Sequence, residues 1–170
     1  FHMHNEHQAS STIAIALAQS DQTYGLVSDA GTPGISDPAF LLVKACLEAQ
    51  VEVECLPGPT AFVPALIKSG LPASSFIFEG FLPQKKGRLK RLEALKEEER
   101  TIVFYESPHR ISKMLGQLKE AFGEERRISV SRELTKLYEQ TLNGTLGEII
   151  THFEKHTPKG EFVIVVEGKK

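Results

Sequence analysis

At 170 residues, 41% hydrophobic, 25% charged and 8% aromatic, the chain has the composition of a globular protein, which excludes disordered, collagen-like and coiled-coil readings. The net charge of -2 hides an asymmetry: up to Ser74 two lysines face seven carboxylates, whereas from Ser75 onward 18 basic residues face 15 acidic ones. No apolar stretch approaches the ~20 residues that span a bilayer and no basic-plus-apolar leader opens the chain, so a cytoplasmic location without membrane contact is expected.

In chain order, residues 8–19 carry Ile13, Ala14 and Leu17 at helical spacing, and residues 24–28 form a short strand-like apolar run. Asp29-Ala30-Gly31-Thr32-Pro33-Gly34 breaks that run. Asp37 followed by Pro38 predicts an N-cap and first turn of a helix reaching Ala49. A second strand is predicted over 51–56, then Pro57-Gly58-Pro59 breaks it and Thr60 opens a helix that closes near Gly70, with Pro64 in its first turns. This strand–loop–helix order predicts a βαβ unit. Its two loops leave the same sheet edge, where open α/β sheets bind ligands.

The boundary is expected at Gly70-Leu71-Pro72-Ala73-Ser74, giving domains over 1–74 and 75–170. Beyond it a strand (76–79), a basic loop, a helix (88–98) and a strand (101–105) follow. Ser107-Pro108 is expected to cap a helix with Ile111, Met114, Leu115, Leu118 and Phe122 on one face, ended by Gly123. Strands at 128–131, 139–142 and 162–166, with a helix near 147–153, complete a second α/β unit with a mixed sheet. The first lobe retains only two strands of a parallel sheet. Two strands make a poor sheet, so the chain is expected to be part of a longer protein.

Five segments carry candidate chemistry. The 28–38 loop has glycines that admit close approach of a ligand, but neither a Walker A sequence nor Gly-x-Gly-x-x-Gly. A nucleoside-type ligand without phosphates therefore fits it, as does a plain βα turn capped by Asp37. Pro57-Gly58-Pro59-Thr60 becomes informative as the second wall of the same crevice. Lys85, Lys86, Arg88, Lys90 and Arg91 crowd seven positions, which suits either phosphates or a solvated loop. Tyr105-Glu106-Ser107-Pro108-His109-Arg110 and Arg132-Glu133-Leu134-Thr135-Lys136 each follow a strand; an ion pair of Arg132 with Glu133 or Glu106 would account for the second structurally. His2, His4 and His7 lack completing ligands, so no metal is expected, and Cys46 and Cys55 are expected to be reduced thiols.

Phe1-His2-Met3-His4-Asn5-Glu6, the 28–38 loop, Pro57-Gly58-Pro59-Thr60, Phe81-Leu82-Pro83, Phe104 through Arg110, Arg132 through Lys136 and Lys159-Gly160-Glu161 occur in order over almost the whole chain. Together they resemble the bacterial ribosomal RNA small-subunit methyltransferase I family of the tetrapyrrole methylase superfamily. The resemblance implies two α/β domains of tetrapyrrole-methylase type, S-adenosylmethionine as methyl donor bound between them, and a homodimer. The implied acceptor is a cytidine 2′-hydroxyl in the decoding region of small-subunit ribosomal RNA. It places Asp29, Ala30, Gly31, Thr32, Gly58, Pro59 and Thr60 at the cofactor, with Tyr105 and Glu106 adding contacts from the other domain. Two departures stand out. Ala39 follows Asp37-Pro38 where the family has glycine, and the family's opening strand and Gly-Thr-Pro-Ile-Gly-Asn-type loop are absent from these 170 residues. Without that loop the chain is expected to bind weakly or be inactive.

Methyl transfer is an in-line displacement, so positioning supplies much of the acceleration. Glu106 and Glu133 are the candidate catalytic bases, and Lys85, Lys86, Arg88, Arg110, Arg132 and Lys136 the candidate RNA contacts. Three rivals compete with this reading: a tetrapyrrole-precursor C-methyltransferase of the same superfamily, another nucleotide-binding α/β enzyme, and a non-catalytic RNA-binding module.

Overall fold

The computed structural model describes residues 5–170, so His2 and His4 lie outside the described residues. Contacts divide the chain into two compact units, Phe1–Thr60 and Ala61–Lys170.

In the first unit α1 (Glu6–Ala18) packs on α2 (Phe40–Glu48) through Ala14, Leu42 and Cys46, with Ile13, Leu17, Ala45 and Val51 around them. The expected Asp37 cap is not made. Ala39 occupies the N-cap without a side-chain bond, and Leu41 N donates instead to Glu6 Oε1 of α1 at 3.1 Å. A carboxylate from a neighbouring helix thus satisfies an orphan donor at the positive end of the α2 dipole. At the other end Val51 N bonds to Cys46 O and Gln50 N to Leu47 O, with Gln50 at φ 58°. That is a Schellman close with glutamine where glycine is usual.

Segments 24–28 and 51–56 are not strands, contrary to the sequence expectation. A strand exists through ladder bonds to a neighbour, and among the described residues of this unit neither segment has one. Tyr24, Val27, Val53 and Leu56 remain exposed. The parallel sheet expected for the first domain is therefore not formed among the described residues.

The second unit holds α3 (Phe62–Ser69), β1 (Phe76–Phe81), α4 (Arg88–Leu95), β2 (Thr101–Glu106), α5 (Ile111–Phe122), β3 (Arg127–Arg132), β4 (Gln140–Thr145), α6 (Leu146–Lys155) and β5 (Phe162–Val166). The five strands form one mixed sheet, ordered β1-β2-β5-β3-β4. β1 and β2 are parallel, β5 runs antiparallel to both β2 and β3, and β4 is antiparallel to β3. Alternation sorts the faces. Ile102, Phe104, Ile128, Val130, Phe162 and Ile164 pack under α4, α5 and α6, and Val103, Val163 and Val165 pack with Ala65 and Leu66 of α3. All five apolar positions read for α5 are buried. Its N-cap is Arg110, and the Ser107 carbonyl, not its hydroxyl, accepts from Arg110 N and Ile111 N at 3.1 Å each.

α3 belongs with this unit because it covers one face of the sheet, so the contacts divide after Thr60, not at residues 70–74. Pro64 is tolerated as the third residue of α3, where no intrahelical N–H bond is lost. α6 opens on a capping box: Glu148 N donates to Thr145 Oγ1 at 3.2 Å and Thr145 N to Glu148 Oε2 at 2.8 Å.

Candidate functional site

Within the first unit the two glycine–proline loops meet. Thr32 Oγ1 donates to Pro59 O at 3.0 Å, bridging 27 residues of chain. Gly31 sits at φ 77°, and a methyl group there would stand 3.3 Å from Pro59 O; one on Gly58 would stand 3.0 Å from Thr32 Oγ1. Little space therefore remains for a side chain at either position, and the left-handed backbone of Gly31 favours glycine independently. Ser28 Oγ braces the first loop by donating to Gly31 O at 2.9 Å and Ala30 O at 3.2 Å. Asp29, Ala30, Gly31, Gly58 and Pro59 are exposed, and Thr32 and Thr60 are half-buried. The Asp29 carboxylate makes no hydrogen bond or ion pair with the described residues.

The remaining sequence-derived positions lie in the second unit. Tyr105 Oη accepts from Phe62 N at 3.2 Å, capping α3 two residues after Thr60. Its ring meets Phe81 and Phe78 edge-on, with centroids 5.6 and 5.1 Å away. Phe81 remains 46% exposed.

Glu106 shares the β2 face of Ile102 and Phe104, and only 1% of it is exposed. Its Oε2 accepts from Arg88 Nη2 at 3.1 Å, and its Oε1 accepts from Arg110 Nε at 2.7 Å and Ser107 N at 2.9 Å. Arg88, itself 5% exposed, also donates to Gln117 Oε1 at 2.7 Å and Pro83 O at 3.4 Å. The basic run is thereby sorted. Arg88 is inward, Arg91 is paired with Glu79, and Lys85, Lys86 and Lys90 are exposed without an ion-pair partner among the described residues.

Arg132 does not pair with Glu133 or Glu106. Its Nε donates to Gln140 Oε1 at 2.9 Å and its Nη1 to Lys159 O at 3.5 Å. Glu133, at φ 48°, accepts from Lys136 Nζ at 3.2 Å and from Glu161 N at 3.3 Å. The Lys68 ammonium and the Thr135 N–H together hold the Glu139 carboxyl below its ordinary range. Sequence reasoning missed two features here. Lys159-Gly160-Glu161 is bonded to the end of β3, and Arg88 falls with Leu92 and Leu95 on the buried face of α4. The second was readable, since positions 88, 92 and 95 follow helical spacing.

Register places these features on one edge. Phe81 pairs with Tyr105, and both Glu106 and Arg132 stand opposite Phe162. The carboxyl ends of β1, β2 and β3 and the start of β5 therefore lie together, with the loops carrying Lys85, Lys86, Arg110, Lys136 and Lys159 leaving from there. Among the described residues no group of three or more His, Cys, Asp or Glu is arranged to hold a metal, and no helix is long and apolar enough to cross a membrane.

Residues 2–150 match the family described as Tetrapyrrole (Corrin/Porphyrin) Methylases. The chain is 50% identical over 169 residues to the ribosomal RNA small subunit methyltransferase I of Synechocystis, covering 99% of this chain and 60% of that protein. It is 44% identical over 156 residues to the protein of that name from Thermotoga maritima, covering 92% and 70%. The chain thus spans about 60% of the length of the Synechocystis relative. Among solved structures, the methyltransferase CobJ superposes with a TM-score of 0.68 at 23% identity, over 93% of this chain and 70% of that one. A uroporphyrin-III C-methyltransferase from Thermus thermophilus, complexed with S-adenosylhomocysteine, superposes at 0.60 and 17% identity, over 94% and 73%. With the fold shared at that level and sequence identity this high along nearly its full length, the chain belongs to the tetrapyrrole methylase family, on the branch of the bacterial ribosomal RNA small subunit methyltransferases I.

Proposed function

We propose that the protein to which this chain belongs methylates the ribose 2′-hydroxyl of a cytidine in the decoding region of small-subunit ribosomal RNA, with S-adenosylmethionine as donor. The observation that carries this reading is the meeting of the two loops at Thr32 and Pro59. The names of the relatives supply the acceptor class.

The residues fit the cofactor. Glycines 31 and 58 leave room at the loop contact that any larger residue would fill, and Asp29 offers an unpaired carboxylate to hydroxyl donors. Asp29, Ala30, Gly31, Thr32, Gly58, Pro59 and Thr60 would hold it. When bound, S-adenosylmethionine supplies an electrophilic methyl carbon on a sulfonium. The protein's own task is then to bind and orient, because alignment alone can contribute ~7–11 kcal/mol to such a step.

Glu106 enters this scheme as a positioning residue, not a base. Both its oxygens are already bonded and it is sealed from solvent, so an acceptor hydroxyl would have to displace a guanidinium. It fixes Arg110 at the edge and ties the basic loop to the tip of β2 through Arg88. Lys85, Lys86, Arg110, Arg132 and Lys136 are the proposed RNA contacts, and Arg88 acts through Glu106. A homodimer completes the proposal.

The test uses the full-length protein, methyl-labelled S-adenosylmethionine, and isolated small subunits beside naked RNA. Label on a cytidine ribose in the subunit supports the reading. Label on a base, or transfer only to a tetrapyrrole precursor, overturns it; RNA binding without affinity for S-adenosylmethionine would leave a binding module.

A further inference from the structure

We propose that Glu133, Gly160 and Arg132 form a clasp that presents Lys159 as a phosphate-binding cation at the carboxyl edge of the sheet. The inference deepens the RNA-acceptor reading above and rests on it.

The clasp is built from two segments, the end of β3 and the residues before β5. Glu133 N donates to Glu161 O at 3.4 Å, and Glu161 N returns a bond to Glu133 Oε1 at 3.3 Å. The Glu133 side chain lies directly over Gly160, where a methyl group would fall 2.5 Å from Cγ and 2.6 Å from Oε1. Gly160 also sits at φ 80°, so it is required on steric and conformational grounds alike. Arg132 Nη1 reaches the Lys159 carbonyl at 3.5 Å. Glu133 and Thr135 hold left-handed backbone at φ 48° and 66°, which residues other than glycine adopt where surrounding contacts impose it and which clusters at functional segments.

What the clasp fixes is the backbone from the Lys159 carbonyl through Glu161, while the Lys159 ammonium itself is exposed and has no partner among the described residues. Three cations of the same edge differ from Lys159 in having a side-chain partner. Lys136 is on Glu133, Arg132 on Gln140, and Arg110 on Glu106. Two strand spacings of about 4.8 Å separate β5 from β1, after which the unpaired Lys85 and Lys86 leave the same edge. Ammonium groups without an ion-pair partner, spaced along one edge on either side of the loop after β2, fit a run of phosphates better than a single small anion.

The experiment compares full-length wild type with Lys159→Ala, Gly160→Ala and the double variant. Binding to isolated small subunits is measured between 50 and 200 mM salt, beside calorimetry with S-adenosylmethionine. Loss of one phosphate contact reduces the slope of log affinity against log salt by about 0.7–0.9, or roughly threefold over that salt range. Lys159→Ala is expected to show that reduction with cofactor affinity unchanged. Gly160→Ala is expected to reproduce it, and the double variant to be no weaker than either single one, because both changes remove the same contact. An unchanged salt slope in Lys159→Ala, in a protein whose wild type methylates subunits, overturns the inference and leaves the functional reading standing. Additive losses in the double variant overturn the clasp's positioning role. Failure of the wild type to bind or methylate subunits removes the functional reading and this inference with it.

Discussion

Replacing Glu106 by glutamine isolates the buried ion network. The substitution keeps the shape of the side chain and removes its charge. With the amide oxygen turned to Ser107 N and Arg110, the new NH2 group faces Arg88, donor against donor. Arg88 and Glu106 have side chains 6% and 1% exposed, so the guanidinium would be left buried and uncompensated. Removing one partner of such a pair costs about 3–5 kcal/mol. The low end is expected, because Arg88 keeps its bonds to Gln117 Oε1 and Pro83 O. Arg110, with its side chain 31% exposed, adds about 0–1 kcal/mol. Arg88→Met should cost less than Glu106→Gln, because Glu106 retains Arg110 and Ser107 N. The double variant should recover about 1–3 kcal/mol relative to the sum of the single changes. Urea denaturation followed by circular dichroism reads all four proteins. A Glu106→Gln loss below about 1 kcal/mol, with no coupling to Arg88, would show the pair to be hydrated and the reasoning wrong.

Gly31→Ala forces a side chain into left-handed backbone 3.3 Å from Pro59 O; it should weaken S-adenosylhomocysteine binding at least about tenfold by calorimetry, with about 1 kcal/mol of stability lost. Burial, the stacked His156 ring and Arg132 push the His152 imidazole below its ordinary value of 6.5. The unfolded chain therefore binds that proton more readily, so this group's contribution to stability is present above pH 6.5 and declines as pH falls through that value toward the lower folded one. NMR titration should give a His152 midpoint below 6.5, and His152→Gln should flatten that part of the stability profile. Cys55 is exposed while Cys46 is buried with its thiol pushed up, so a thiol reagent should label Cys55 in the native protein and Cys46 only on unfolding.

What could be read from the sequence followed local physics. The α5 face was legible because five apolar residues recur at helical spacing, and the meeting of the 28–34 and 57–60 loops was expected from a βαβ order that brings both to one sheet edge. That meeting is present although neither flanking segment is a strand among the described residues, so the loops meet without the ladder from which their meeting was inferred. Long-range partners were hidden. Glu6 caps α2 from 35 residues away, displacing an Asp37 that had every local credential. Arg88 looked like one cation in a solvated run until the approach of β2 placed Glu106 beneath it. The Glu133–Gly160 contact needs β3 and β5 side by side, a pairing that neither segment encodes alone.

A crystal structure of the full-length protein with S-adenosylhomocysteine tests the two-loop cradle most directly. Contacts from residues 29–32 and 58–60 to one nucleoside are expected, with Thr32 still bonded to Pro59. A nucleoside bound elsewhere, with those two loops apart or touching nothing, would contradict it.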